Sequence, residues 1–546
     1  MGRLLQYPLL LGIVGIMSLE LVAYFLVRQW VIFCEWAFTW RGMRKVYRDQ
    51  LRQSRTQDEW NRNAQQLDQY LGNDAWRYED ACPYYDVELV EKTVRRIRRY
   101  RLELETNATL SPEERAYASN LGGIENEALY SHTYFGSKLQ VERYVSEVCL
   151  ALEALARCSE LSTDAKLTFF ENASRTYGRS ALCLSGGASV TYYHIGVVKA
   201  LIATGNMPKV ITGTSGGAYV AAMIAVRTDD ELRAEVFTPD VYKHLTIFDD
   251  SWLERFRRWW QTGAMFDPNV SYQRLPWITK GPLTFMEAYR RTGRTLCISV
   301  SPNKPHSPPK LLNWITSPDV VIGSAVMASS AIPGFLRPVE LIMKTASGDL
   351  VPWRGVGKRW RDGSLQSDVP ERELHQLFDV SYTIVSQVNP HIRLFFFEGR
   401  GASGMPTAHR QGRGWRGGFI ASTVVQGIKL DLLKWLMLLR DAEILPRFMN
   451  TDWSNLFTQR FEGNSTIIPG TCLRDHLTLL TSPTYDDMAR YINGGELDTW
   501  PKLHMIQNRM RIESTIKKFK NLYRKKKAAR LPPTPVGPRL DVGSRS

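Results

Sequence analysis

A chain of 546 residues is long enough for several domains of roughly 100–200 residues each, which excludes a single small binding module. Hydrophobic residues at 44% and charged residues at 23% match ordinary globular usage and exclude both a largely disordered chain and a multi-span transporter. The excess of 70 Lys and Arg over 55 Asp and Glu, a net +15, calls for an anionic partner, either nucleic acid or a membrane surface, and the position of the charge decides between them.

Leu4 to Leu19 carries no charge, and after Glu20 apolar character resumes through Val27 and again from Trp30 to Cys34. Residues 1–38 are therefore expected to form a hydrophobic membrane anchor, since about 20 apolar residues span a bilayer core, with Glu20 near a helix end or facing a partner. Arg28, Arg41, Arg44, Lys45 and Arg48 follow the run, while only Arg3 and the amino group precede it, so the positive-inside rule places everything after residue 40 in the cytosol. A cleaved signal peptide is disfavoured, because the run exceeds a typical h-region and no small-x-small site precedes the Trp-rich flank. Pro8 and Gly12 also permit a half-inserted hairpin of the kind a lipid-droplet monolayer requires; the expected location is a lipid droplet or the endoplasmic reticulum. The seven cysteines are odd in number, widely spaced and without a C-x-x-C pair, which is neither a disulfide framework nor a zinc site.

Residues 39–165 are polar, rich in Trp, Tyr and Arg and helical in period, and read as an α-helical domain. The texture then changes. Arg179–Leu184 is a short apolar run ending in a glycine turn before a helix-like stretch, Tyr192–Ile202, and Val210-Ile211-Thr212 leads into a second glycine turn and the helix Ala218–Val226. Two such units in succession predict an α/β fold, a parallel-sheet core with helices on both faces over residues 179–372. Further strands are expected at Thr295–Val300, Lys310–Trp314 and Tyr382–Val388, the last inside a C-terminal extension, 373–506.

Most of the excess of positive charge lies at the end. Between Gln507 and Arg530 ten basic residues face Glu513 alone, and Met510, Ile512, Ile516, Phe519 and Tyr523 recur at helical spacing. Residues 507–546 are expected to be a basic amphipathic helix followed by a disordered Pro-rich tail, the helix either lying on anionic lipid or solvated.

The strongest chemical signal is Gly213-Thr214-Ser215-Gly216-Gly217, a G-x-S-x-G between a predicted strand and a predicted helix. Small neighbours let the chain turn sharply, so that Ser215 projects from the strand end toward the positive helix N-terminus. Ser185-Gly186-Gly187-Ala188-Ser189 occupies the preceding strand–helix junction, and adjacent glycines can aim several amides into one small volume, as an oxyanion hole requires. No complete nucleotide-binding glycine motif is present. For a base, His375, His391, His409, His476 and His504 carry no local signature, whereas Asp362-Gly363-Ser364 places a carboxylate on a turn; a partly desolvated carboxylate can serve as general base without histidine.

These motifs, taken in order with His194-Ile195-Gly196-Val197-Val198 after the first and Ala331-Ile332-Pro333-Gly334-Phe335 before Asp362-Gly363, resemble the patatin-like phospholipase family, and within it the intracellular triacylglycerol lipase branch of fungi and plants. Trp60, Leu67-Asp68, Trp76 and Tyr85-Asp86 resemble the helical domain that precedes the lipase domain there, and Asn389-Pro390-His391 also fits. The resemblance implies a Ser–Asp dyad with Ser215 as nucleophile, Asp362 as base, and the backbone of Gly186, Gly187 and Ala188 as oxyanion hole. Three positions depart from the family pattern: Ala188 and Val190 stand where a third glycine and a basic residue are usual, and Asp-Gly is followed by Ser364 rather than Gly or Ala.

The expected activity is hydrolysis of acyl esters of acylglycerols or phospholipids, in lipid degradation. The alternatives are a catalytically impaired lipid-surface scaffold, and a lysolipid acyltransferase using the same acyl-enzyme. The His244 and Asp249 spacing of acyltransferases carries no weight among nine histidines. Trp252, Phe256, Trp259 and Trp260 alternate with Arg255, Arg257 and Arg258, which suits an interfacial lid or a buried helix with a solvated basic edge. No metal or diffusible cofactor is implied, and no nucleic-acid signature accompanies the basic tail, so the expected partners are a lipid substrate and a membrane or lipid-droplet surface.

Overall fold

The computed structural model describes residues 2–79, 82–105, 120–303, 308–353, 359–364, 367–390, 392, 401–406, 418–441 and 459–530. The principal helices are α1 (Gly2–Cys34), α2 (Gln57–Leu71), α3 (Val87–Glu105), α4 (Leu139–Arg157), α5 (Thr163–Tyr177), α6 (Tyr193–Ala203), α7 (Gly216–Ala225), α8 (Trp252–Thr262), α9 (Ile322–Ser329), α10 (Glu371–Phe378), α11 (Gly418–Asp441) and α12 (Tyr485–Arg530). The strands are β1 (Arg179–Leu184), β2 (Val210–Gly213), β3 (Thr295–Pro302), β4 (Lys310–Leu312), β5 (Ile342–Lys344), β6 (Leu350–Pro352), β7 (Trp360–Asp362), β8 (Val380–Ser386) and β9 (Ser465–Ile467). The chain divides into two compact units. One comprises Met1–Asp80, Glu125–Lys138 and Ser180–Gln507; the other comprises Ala81–Ile124, Leu139–Arg179 and Asn508–Ser546. The helical region read from sequence as one domain is thus shared between both.

The first unit holds a mixed seven-stranded sheet in the order β4-β3-β2-β1-β8-β9, with β7 also on β3. The pairs β1–β2, β2–β3 and β8–β9 are parallel, and their near-continuous apolar runs are what strands covered on both faces require. Alternate residues of β1, Ala181 and Cys183, pack with Val210, Cys297 and the α10 residues Leu374 and Phe378. The parallel expectation needs one correction: β4 and β7 both run antiparallel to β3. The segment 373–506 supplies two strands, β8 and β9.

The helical stretch Tyr7–Thr39, which begins in α1 and runs five residues past its end, is, among the described residues, the one helix long and apolar enough to cross a membrane, and most of its large side chains are exposed. Helix α11 packs on it through Ile13, Leu439 and Trp435, and the Trp435 indole donates to Glu20 Oε1 at 3.3 Å. Glu20, the first charge to interrupt the apolar run, therefore faces a polar partner. Elsewhere in this unit Asp68 of α2 accepts from the Tyr134 and Phe135 amides at 2.9 Å each and from Asn73, a buried acceptor whose role is to hold the 131–138 segment.

In the second unit α3 and α4 pair, and Phe170 of α5, edge-on to Phe169, packs with Phe519 near the end of α12. Ile512, Ile516, Phe519 and Tyr523 are buried, Phe170 stacks on Tyr523, and Arg524 pairs with Glu171. Of this basic amphipathic segment, protein takes up the apolar strip, and Lys517, Lys518, Lys525 and Lys526 are exposed. The Pro-rich tail lies outside the described residues.

Candidate active site

Strand β2 ends at Gly213, and the chain turns through Thr214 and Ser215 into α7. Ser215 sits at φ 54°, ψ −127°, a left-handed conformation that costs a non-glycine residue of order 1–3 kcal/mol. Close approach to the neighbouring strand forces the turn: a Cβ on Gly217 would lie 2.3 Å from the Leu184 carbonyl oxygen, and one on Gly216 would lie 2.5 Å from Thr191. Hydrogen bonds fix it. The Ser215 amide donates to Ser329 Oγ at 3.0 Å, Ser330 Oγ donates to the Ser215 carbonyl at 3.3 Å, and the Thr214 amide donates to Leu184 O at 3.2 Å.

Asp362 closes β7, paired opposite Val300, and its amide donates to Ala331 O at 3.2 Å. Gly363 leaves no room for a side chain, since a Cβ there would meet the Ser299 carbonyl oxygen at 2.4 Å. The carboxylate is fully buried; Oδ1 accepts from the Ser364 amide at 2.7 Å, while Oδ2 completes no hydrogen bond among the described residues. Burial raises its pKa to about 6, opposed by the Ser364 amide and by contact with the Ser215 hydroxyl. Serine and carboxylate, 147 residues apart in sequence, thus meet.

The glycine turn after β1 lies against the same serine. A Cβ on Gly186 would be 3.1 Å from Ser215 Cβ, and one on Gly187 would be 2.8 Å from Val388. The three amides differ. That of Gly186 donates to Asp368 Oδ1 at 3.2 Å, whereas those of Gly187 and Ala188 have no acceptor among the described residues. Asp368 is fully buried, and its pKa is pushed up to about 7 by burial, against the Gly186 amide and with the Asp362 charge adding to the rise. Its Oδ2 accepts from Asn389 at 2.7 Å, and its carbonyl accepts from the Thr214 hydroxyl at 3.1 Å, so one residue ties both turns to the end of β8.

Residues 182–375 match the profile of the patatin-like phospholipase family, and residues 37–175 match a domain of unknown function, DUF3336. A patatin-like phospholipase domain-containing protein of Aspergillus terreus is 44% identical over 94% of this chain and 73% of its own length. One of Pyricularia oryzae is 45% identical over 94% of this chain and 68% of its own. The chain belongs to the patatin-like phospholipase family. The crystal structure of the type III effector protein ExoU matches 49% of this chain and 60% of its own at 16% identity and a TM-score of 0.19, too slight a likeness to bear on the site.

The patatin-like phospholipases are lipid ester hydrolases, and the residues read from sequence stand in this site as follows. Ser215, Asp362, Gly186, Gly187 and Ala188 converge, with Gly213, Thr214, Gly216, Gly217 and Gly363 shaping the two turns. Gly186 is the exception among the expected oxyanion donors, because Asp368 already occupies its amide. Ala188 stands at φ 49°, so the position where the family usually carries glycine is still left-handed here. His194 is a framework residue: its Nε2 faces Ser185 O at 3.0 Å, so this nitrogen carries the proton, and Nδ1 accepts from Ser386 Oγ at 2.7 Å. Burial lowers its pKa to about 4, keeping it neutral. Gly196 of the same motif lets α12 approach, since a Cβ there would strike the Ile492 carbonyl oxygen at 2.0 Å.

The candidate histidines lie elsewhere. His375 bonds Val380 O, His476 bonds Thr471 and His504 packs on Phe135, while His391 and His409 fall outside the described residues. His244 stacks flat on Trp277 at 4.2 Å. Sequence reasoning passed over Asp368 and Asn389 as site residues; the available signal was a second Asp six residues after Asp362, followed by Pro370.

Proposed function

We propose that the protein cleaves acyl esters of acylglycerols or glycerophospholipids with Ser215 as nucleophile and Asp362 as base. Ser215 Oγ attacks the ester carbonyl carbon while its proton passes to the Asp362 carboxylate. The oxygen that becomes negative is held by the Gly187 and Ala188 amides, whose hydrogens have no other acceptor among the described residues. Protonated Asp362 returns its proton to the leaving alcohol, the C–O bond breaks, and water hydrolyses the acyl-serine by the reverse sequence. The observation that carries this reading is the convergence of a strained serine, a buried carboxylate with an unfilled Oδ2, and two unfilled amides. A carboxylate of pKa about 6 is ionised at neutral pH and more basic than an ordinary aspartate, as a general base needs to be.

Ser215→Ala and Asp362→Ala proteins are each expected to lose roughly a thousandfold or more of their turnover of nitrophenyl esters. Parent-like rates in either would reject the dyad.

The same reading places the enzyme on its substrate's own surface. Helix α1, with α11 on one side, is proposed to anchor the chain in a membrane or droplet monolayer, supported by the outward apolar residues of both helices, such as Leu11, Leu19, Leu430 and Met437. Deletion of residues 2–38 is expected to shift the protein from floating with phosphatidylcholine vesicles toward the soluble fraction. Undiminished flotation would place the anchor elsewhere.

A further inference from the structure

Helix α8 carries Trp252, Leu253, Phe256 and Trp260 at 61, 85, 61 and 75% exposure. At 3.6 residues per turn these four fall within one arc of about 100°, while Arg255, Arg258 and Thr262 fall on the opposite side. An amphipathic helix of a globular protein turns its aromatic side inward. Here the arginines are inside: Arg255 is 2% exposed and donates to the Leu480 and Phe248 carbonyls at 2.8 Å each, and Arg258 pairs with Asp250 and donates to Met265 O at 3.0 Å.

The helix is also fixed at both ends. Ser251 and Glu254 form a reciprocal capping box, Gly263 closes the other end at φ 73°, and Arg337 donates twice to the Thr262 carbonyl. A helix held this way is a rigid support for its outer face, not a flap. The support leads to the site: the Met265 and Phe266 amides donate to Gly334 and Phe335 carbonyls, and a few residues earlier in that segment Ser330 bonds Ser215 and Ala331 bonds Asp362.

We infer that α8 is a fixed docking wedge for a phospholipid-covered surface, inserting Trp252, Leu253, Phe256 and Trp260 among the acyl chains and so seating that surface at a set distance from Ser215. The inference rests on the lipid-hydrolase reading. Lipid, as opposed to protein, is the occupant the chemistry fits: indole and phenyl rings beside an exposed Arg257 match the headgroup boundary, where rings sit at the carbonyl level and a guanidinium meets phosphate. The segment that braces the wedge is the one that borders the reacting groups, so whatever covers this face lies beside the substrate, and acyl esters of long chains lie in such a surface.

The test uses the full-length chain and a Leu253→Ser, Trp260→Ser double variant against two substrates, soluble nitrophenyl butyrate and a fluorogenic long-chain ester carried in phosphatidylcholine vesicles. Turnover of the soluble ester is expected to stay within about twofold, while vesicle turnover falls roughly tenfold or more and recovers as vesicle concentration rises. A second measurement places an environment-sensitive NBD label at position 253 through Leu253→Cys in a Cys472→Ser background, with a blue shift and brightening expected on phosphatidylcholine vesicles. Equal loss on both substrates, undiminished vesicle turnover, a label indifferent to vesicles, or a parent dimer that the double variant dissolves would overturn the wedge. If the parent hydrolyses neither ester, the hydrolase reading is what fails, and the label alone decides the docking.

Discussion

Helix α8 and the last part of α12 both interleave aromatic with basic residues, yet α8 turns Arg255 inward and leaves Trp260 exposed, whereas α12 buries Phe519 and Tyr523 and leaves Lys518 and Lys525 exposed. What each helix finds beneath it decides the direction. Under α8 lie carbonyl oxygens and Asp250, which a guanidinium fork satisfies. Beside the end of α12 lies Phe170, whose ring packs on Phe519 and Tyr523 and rewards apolar burial. Aromatic-basic patterning therefore identifies an amphipathic helix but not which side it shows to the protein.

Substitutions can break this contrast. Phe519→Ala should cost the second unit about 3 kcal/mol, read by hydrogen exchange along α5 and α12, because a buried ring leaves a cavity. Arg255→Ala should cost roughly 2 kcal/mol in the first unit by leaving the Leu480 and Phe248 carbonyls unpaired, and slowed exchange or none at α8 would contradict the inward role. Ala188→Gly should stabilise by about 1 kcal/mol in denaturant titration, since glycine occupies φ 49° without strain. Lys518→Ser and Leu253→Ser, each on the outer side of its helix, should both change stability by less than about 0.5 kcal/mol. A large loss from Leu253→Ser would mean that this side chain is packed, and the contrast would collapse.

A similar contrast among acids sets the pH dependence. Asp68 and Asp362 both have pKa values pushed up to about 6 by burial, but Asp68 receives three donors while Asp362 Oδ2 receives none. Only the second keeps a carboxylate oxygen without a donor among the described residues. Because the base must be ionised, kcat/KM is expected to be flat above pH 7 and to fall about tenfold per unit below pH 6. The stability consequence has the opposite sense. Raised folded-state pKa values for Asp362 and Asp368 favour the fold while they are protonated, a contribution full below about pH 4 and lost as pH rises through about 6 and 7.

How far the sequence could be read follows from the range of the forces involved. The runs of β1 and β2 and the turn at Ser215 are local: apolar residues and glycines within ten positions specify them, and they fall where expected. Strands β7 and β9 are three residues each and owe their extended form to the strands they pair with, so no pattern of their own marks them. Asp368 was hidden for the same reason, its partners Gly186 and Asn389 lying 182 and 21 residues away. The apolar outer face of α11 was masked by Lys429, Asp431 and Lys434, and Glu20 shows its purpose only once Trp435 is beside it. The partner of the apolar strip at the end of α12 belongs here as well, because α5 is more than 300 residues distant in sequence.

The central claim, that Ser215 is activated by Asp362, is tested most directly by labelling the full-length protein with a fluorophosphonate and locating the adduct by peptide mass spectrometry. One modified serine is expected, Ser215, at a rate that falls about a hundredfold or more in Asp362→Asn while hydrogen exchange around β7 stays unchanged. An adduct on another serine, or an undiminished rate in Asp362→Asn, would contradict it.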